Sequence, residues 1–194
     1  MFKTKSELRL LYLNKRNSLP KKLLLNYSNR ITSNLLESEL FYNISSIGIY
    51  FSIGSEANTH CIINESLSRS KIVLLPKIEN KKNELNFYHA NGRSLDDIQL
   101  SKGKYGILEP VNDEVYTDTI DLLLLPGIVF DMFGNRIGYG KGFYDNFLKK
   151  KRSKINLGVC FENQILDESI PSDEFDEKVD GIITENRILF FKSF

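Results

Sequence analysis

The chain has no tryptophan, and its 194 residues include only two histidines, two cysteines, two methionines and five prolines. Each scarcity closes a class of function. Cys61 and Cys160 lie far apart with no paired spacing, so neither a disulfide framework nor a zinc site is indicated; both thiols are expected to be free and buried, in a reducing compartment. His60 and His89 have no acidic or cysteine partner at ligand spacing, no Ser-His or Cys-His arrangement for nucleophilic catalysis is present, and both histidines read as incidental. No apolar run approaches the length that spans a bilayer, and the N-terminus carries no signal-peptide core. The net charge of +1 gives no global basic field, which disfavours nucleic-acid and membrane-surface partners but leaves local phosphate binding open. A cytoplasmic protein is expected, with organelle targeting left open by the basic, amphipathic start.

What is present is an ordinary globular composition, 41% hydrophobic and 26% charged, sufficient for one sizeable core and a single domain over 1–194. The most informative stretch is DLLLLPGIVFDMFGNRIGYGKGFYDNFLKK, Asp121 to Lys150. Leu122 to Leu125 form a short apolar run stopped by Pro126-Gly127, the pattern of a strand buried on both faces of a parallel sheet. Phe143, Phe147 and Leu148 share a helical stripe, followed by Lys149, Lys150, Lys151 and Arg152, where cations favour a helix C-terminus. Between strand and helix, Gly138, Gly140 and Gly142 recur at every second position, with Arg136 ahead and Tyr144-Asp145 behind. A dinucleotide fingerprint needs a glycine where Phe143 stands, and a Walker A loop needs Ser or Thr where Gly142 stands. Two readings survive: a structural turn with solvated charges, or a loop whose amides approach a phosphate chain. In the second, Arg136 and Lys141 supply charge and Asp145 a hard oxygen ligand for magnesium.

The remaining chain alternates helical and strand patterns. Two helices open it, one capped by Ser6 and carrying Leu8, Leu11 and Tyr12 on one face, the next restarting at Ser18-Pro20. Lys5, Arg9 and Arg16 lie along one side of the first, by periodicity a solvated face. Strands are expected at Ser46 to Phe51, at Lys71 to Leu75 ended by Pro76, and at Leu85 to Tyr88, with a charged turn from Glu79 to Glu84. Glu56 opens a helix capped by Asn58, and Gly92 to Lys104 reads as a surface loop. Ile155 to Cys160, Gly181 to Thr184 and Ile188 to Phe191 complete the strands, with Asp180 at a strand start. The fold class is therefore α/β, a three-layer Rossmann-like sandwich with a mainly parallel sheet and helices on both faces. Ligands on such sheets sit beyond the strands' C-terminal ends, which places Phe51, Glu56 and the Gly127 to Gly142 loop on one rim.

The run PGIVFDMFGNRIGYGKGFYD closely resembles the signature of the 5-formyltetrahydrofolate cyclo-ligase family, and four further places match in order: Lys5-x-x-x-Arg9, Gly54-Ser-Glu56-Ala-Asn58-Thr59, Gly106-Ile107-x-Glu109-Pro110, and Phe161-Glu162-Asn163-Gln164 with Pro171 and Asp176. Phe143 departs from the family's tyrosine, which puts a hydrogen bond from that position in doubt, and Phe175 departs from a polar residue. The resemblance implies ATP- and Mg2+-dependent conversion of 5-formyltetrahydrofolate, which can be polyglutamylated, to 5,10-methenyltetrahydrofolate by a monomeric enzyme. It implies Lys5, Arg9, Arg136, Gly138, Gly140, Gly142 and Tyr144 at ATP, with Arg136, Lys141 and Tyr144 catalytic. It implies Phe51, Glu56, Tyr139, Gly140, Lys141, Gly142 and Phe143 at the folate, and Asp145 and Asp176 at the metal. Glu109 either borders the folate site or is a solvated residue held by its proline neighbour, and receives no chemistry. Two other classes stay open: a non-catalytic nucleotide- or folate-binding protein on the same scaffold, and a reductase or kinase using the loop for another phosphate ligand.

Overall fold

A computed structural model describes residues 4–79 and 84–191. Helices α1 (Lys5–Asn17), α2 (Lys21–Leu36) and α3 (Glu39–Asn43) lead into β1 (Ser46–Ile49), α4 (His60–Ser68) and the antiparallel pair β2 (Ile72–Glu79) and β3 (Glu84–His89). A hairpin of β4 (Leu100–Lys102) and β5 (Leu108–Pro110) precedes the central strand β6 (Ile120–Pro126). Then follow β7 (Val129–Asp131), β8 (Arg136–Ile137), α5 (Phe143–Leu148), β9 (Ser153–Val159), β10 (Ile165–Leu166), β11 (Gly181–Ile183) and β12 (Ile188–Phe190).

Seven strands form the main sheet in the order β12-β11-β9-β6-β1-β2-β3. The five inner strands are parallel and the two edges, β3 and β12, antiparallel. Because side chains alternate along a strand, the leucines of β6 serve both faces. Leu122 and Leu124 join Ile47, Ile49 and the buried sides of α2 and α4, while Leu123 and Leu125 join Phe87 and Phe147 of α5. Each of these fully buried leucines is worth roughly 1.5–3 kcal/mol, so the sheet's centre carries much of the stability. Helices on both faces make the three layers expected. A smaller sheet, β10-β7-β8, lies beyond the end of β6, and Leu8 and Tyr12 of α1 pack on its Ile128, Val129 and Ile137.

Several local expectations change. Thr4, not Ser6, caps α1, its hydroxyl accepting the Glu7 amide while the Glu7 carboxylate accepts the Thr4 amide at 2.7 Å. β2 runs through Pro76, which lies past Leu74, the last residue paired with β1, so the missing N–H leaves no ladder bond unmade on that side. Most of the expected Glu79 to Glu84 turn falls outside the described residues. The Gly92 to Lys104 loop contains a 3-10 turn at Leu95–Asp97 and strand β4. Helix α5 stops at Leu148, short of the lysine run, because Lys151 turns left-handed at φ 51° and Ser153 must already pair with Ile120 of β6. Cys160 is buried as expected, but Cys61 is exposed, on the outer side of α4.

Candidate functional site

The sheet's connections run outward in opposite directions from β1 and β6, β1 leading to β2 and β6 to β9. Such a switch point leaves a crevice at the strands' C-terminal ends. A cavity of about 620 Å³ lies there, between Tyr50-Phe51 after β1 and Pro126 at the end of β6. Every site residue expected from the sequence lines it: Lys5, Arg9, Phe51, Glu56, Arg136, Gly138, Tyr139, Gly140, Lys141, Gly142, Phe143, Tyr144, Asp145 and Asp176.

The loop is held from beneath by Asp131, which is fully buried and accepts the amides of Phe133 (2.8 Å), Asn135 (2.9 Å) and Ile170 (2.9 Å). This turn delivers Arg136 to the cavity. The Arg136 side chain is only 4% exposed; its Nη2 donates to Asp145 Oδ1 at 2.8 Å, Nη1 reaches the Pro126 carbonyl at 3.4 Å, and Nε is buried with no hydrogen-bond partner. Gly140 (φ 86°) and Gly142 (φ 68°) adopt left-handed backbone, which lets the loop double back before α5. From α1, Arg9 Nε donates to the Gly138 carbonyl at 2.8 Å. Lys5 donates to Asp173 at 2.7 Å and also pairs with Asp176. Burial alone would lower the Lys5 pKa, but its two carboxylate partners outweigh this and raise it. Periodicity placed these cations on a solvated face; tertiary packing turns that face onto the loop.

Both candidate metal ligands thus rest against cations. Among the described residues no group of three His, Cys, Asp or Glu side chains could hold a metal. Asp145 and Asp176 nonetheless suit magnesium, which takes one or two carboxylates and fills its remaining positions with water and substrate phosphates.

On the other side, Glu56 lies in the loop ahead of α4 rather than in its first turn, and its side chain folds back to accept the Ile53 amide at 3.0 Å. Asn58 does accept the His60 amide, at 2.9 Å, although the residue directly preceding the helix is Thr59. Burial raises the Glu56 pKa, opposed by the Ile53 amide and by Arg16. Phe51 packs on His60 with ring centroids 4.3 Å apart, so that histidine backs a lining residue without itself lining the cavity. Tyr144 is half-buried and its phenol pKa is raised by burial. Lys141 is exposed, its ammonium 5.7 Å from the Tyr105 ring centroid.

From sequence, Arg16 and Gln164 receive no site role and Glu109 no chemistry. Arg16 is buried, donating to the Gly127 carbonyl at 3.1 Å and the Tyr139 hydroxyl at 2.7 Å. Its seven-residue spacing from Arg9 was the available signal. Gln164 is also buried and its amide donates to the carbonyls of Gly127 (3.2 Å) and Ile128 (2.9 Å), fixing the start of the loop. Glu109, left between a solvated and a site-bordering role, is buried and lines the cavity.

A model of the 5-formyltetrahydrofolate cyclo-ligase family matches residues 2–185. The 5-formyltetrahydrofolate cyclo-ligase of Mus musculus is 30% identical over 166 residues, covering 80% of this chain and 81% of the mouse protein. That of Haemophilus influenzae is 32% identical over 149 residues, covering 74% of this chain and 75% of its own. The solved structure of 5,10-methenyltetrahydrofolate synthetase from Aquifex aeolicus superposes with a TM-score of 0.84 at 33% identity, over 98% of this chain and 94% of that one. Fold, cavity and these likenesses agree, and the chain belongs to the 5-formyltetrahydrofolate cyclo-ligase family of enzymes.

Proposed function

We propose that this chain uses ATP and magnesium to convert 5-formyltetrahydrofolate to 5,10-methenyltetrahydrofolate, releasing ADP and phosphate. The observation that carries the reading is one cavity in which Lys5, Arg9 and Arg136 converge on a glycine loop while Phe51, Tyr139 and Phe143 offer aromatic surface. The first set suits a triphosphate and the second a flat bicyclic ring.

The formyl oxygen of an amide is a poor leaving group, so ring closure needs it activated. In the proposed course that oxygen attacks the terminal phosphorus, and the bond from phosphorus to the ADP oxygen breaks. N10 of the folate then attacks the formyl carbon, N10 loses its proton, and the carbon–oxygen bond to phosphate breaks. No protein nucleophile is required, and the chain's contribution is alignment and charge. Arg136 and Lys5 exchange their aspartate partners for phosphate oxygens as ATP enters. Arg9 stays on the Gly138 carbonyl and keeps the loop amides in place, while Lys141 and Tyr144 complete the phosphate contacts. Glu56 orients the folate, whose ring rests on Phe51, Tyr139 and Phe143. Asp145 and Asp176 would hold magnesium, which would supply neutralisation of the charge on the phosphate oxygens. Within this reading the enzyme is a cytoplasmic, single-domain monomer without nucleic-acid or membrane partners.

The test is growth of the methenyl chromophore from 5-formyltetrahydrofolate, with and without magnesium and ATP. Product only when both are present supports the reading. Tight binding of both ligands by folded protein without turnover would instead favour a non-catalytic binding protein on the same scaffold.

A further inference from the structure

Among the described residues, β2, β3 and the β4–β5 hairpin contribute Pro76, Ile78, Leu85, Tyr105, Ile107 and Glu109 to the cavity lining, and none of these is a cation. Within that described set Glu109 is the one charged side chain, and it is just 6% exposed. Its Oε1 accepts the Ile78 amide at 3.3 Å, on the side of β2 that β1 no longer pairs. Among the described residues no cation pairs with it, because the neighbouring Lys77 ammonium is taken by the Asn112 carbonyl at 3.1 Å and by Asp113 at 2.8 Å. A carboxylate offers about four acceptor positions, so one long bond leaves most of its capacity unused. Burying a carboxylate with so little compensation costs stability unless something else occupies it.

Space has been made for this group. A Cβ on Gly103 would lie 2.0 Å from Glu109 Cδ and 2.1 Å from Oε2, so in this position the carboxylate rests directly against the Gly103 backbone. At the hairpin tip Tyr105 holds a left-handed backbone (φ 62°), and its ring sits 6.2 Å from that of Phe143 on the glycine loop. The hairpin tip therefore lies beside the start of α5 at the cavity, and Glu109 lies among apolar lining residues.

Resting on the cyclo-ligase reading above, we infer that Glu109 recognises the donor edge of the folate's 2-amino-4-oxopyrimidine ring, accepting the ring N3–H and one exocyclic amino N–H on its two oxygens. Two parallel N–H groups match a carboxylate in the way an arginine fork does, and charge-assisted bonds of this kind are the strong ones. The apolar neighbours suit the faces of the same ring. Glu56 is the wrong carboxylate for this edge. Besides the Ile53 amide it is met by the Arg16 charge and the Tyr139 hydroxyl, whereas Glu109 has no cationic partner among the described residues. Burial pushes the Glu109 pKa up, against the Ile78 amide and the charge of Lys77, and two ligand donors would favour its ionised form.

The experiment compares wild type, Glu109→Leu and Glu109→Gln with 5-formyltetrahydrofolate and with its 2-desamino analogue, recording kcat, KM for folate, KM for ATP, and Tm. Losing hydrogen bonds to a buried charged acceptor is expected to cost about 10- to 100-fold. Wild type should therefore prefer the parent folate by about that factor, and Glu109→Leu should raise the parent's KM by a similar factor, leave KM for ATP unchanged and abolish the preference. Glu109→Gln keeps the bulk and the acceptor for Ile78, so it folds even where the leucine variant does not; it should show a reduced preference. An undiminished preference in Glu109→Gln overturns the inference, because a purely structural glutamate would move Tm without touching analogue discrimination. Wild type that turns over neither folate would refute the cyclo-ligase reading instead. The same comparison made by calorimetric binding then decides on Glu109, and wild type that binds neither folate overturns both.

Discussion

Replacing Arg136 with alanine should separate the chemical and structural uses of one side chain. The guanidinium is sealed at 4% exposure between the Pro126 carbonyl and Asp145, whose side chain keeps 19%. Removing one partner of a fully buried pair costs about 3–5 kcal/mol. Asp145 retains some solvent and the Glu177 amide at 3.3 Å, so a loss nearer ~2 kcal/mol is expected, or roughly 4–8 °C in Tm for a domain of this size. The rate effect should be larger than that. A preorganised charge aimed at a developing oxyanion is worth about 10²–10³ in kcat, or ~2.7–4 kcal/mol of barrier. Arg136→Lys should recover little of either, since an ammonium lacks the planar fork that reaches the Pro126 carbonyl and Asp145 before ATP enters and two phosphate oxygens afterwards. Chromophore formation at saturating ATP and folate, assayed 15 °C below the variant's own Tm, reads the barrier without the stability loss. A kcat within threefold of wild type in Arg136→Ala would refute the phosphate role, and an unchanged Tm would refute the structural use of the Asp145 pair.

Asp176→Asn should raise the magnesium concentration for half-maximal rate at least tenfold while leaving Tm within 2 °C, because its pairing with Lys5 is part-exposed on both sides, and such pairs are worth about 0–1 kcal/mol. A magnesium titration superposing on wild type would contradict the assignment. Arg16→Met keeps much of the side-chain bulk but frees the Gly127 carbonyl and the Tyr139 hydroxyl; it should cost about 1–3 kcal/mol in urea unfolding and raise the folate KM several-fold, with unchanged KM for both substrates counting against a positioning role. Asp121 ties β1 to β6, accepting the Ser45 and Ser46 amides at 2.8 and 3.0 Å and the Lys154 ammonium at 2.7 Å. Burial would raise its pKa, but these donors outweigh burial and hold it at about 2, below the ordinary 3.8. A depressed folded-state pKa contributes stability that is complete above 3.8 and lost as pH falls through 2. Asp121→Asn should therefore lower stability at pH 7 by about 1–2 kcal/mol after screening, and flatten the Tm profile between about pH 4 and 2. An unchanged acid profile would show that the anchor contributes nothing.

The sheet was legible in the sequence because its strands are unambiguous apolar runs. Leu122 to Leu125 are flanked by Pro126-Gly127, a pattern set by burial on both faces and readable without neighbours. The loop was legible for a related reason: alternate glycines framed by Arg136 and Asp145 are rare, and left-handed backbone at Gly140 and Gly142 needs glycine locally. Boundaries were less legible where register decided them. Pro76 ends a strand by local rules, yet β2 continues because its partner on that side stops at Leu74 pairing. Helix α5 ends early because β9 must meet β6 at Ser153.

The sequence by itself determined the α/β class, which depends on local pattern and spacing, and, through the resemblance to a folate cyclo-ligase, a set of candidate residues that the structure gathers at one cavity. Only the tertiary structure decided which cations are solvated and which are used. Lys5, Arg9 and Arg16 share one side of α1, and nothing local distinguishes a face turned to water from one turned onto the Gly138 carbonyl, the Tyr139 hydroxyl and Asp176. The same holds for Glu109, whose burial follows from a hairpin folding over β2 with Gly103 making room. Charge placement is a long-range property, set by which surfaces the sheet brings together, and a single chain read in order does not contain that contact map.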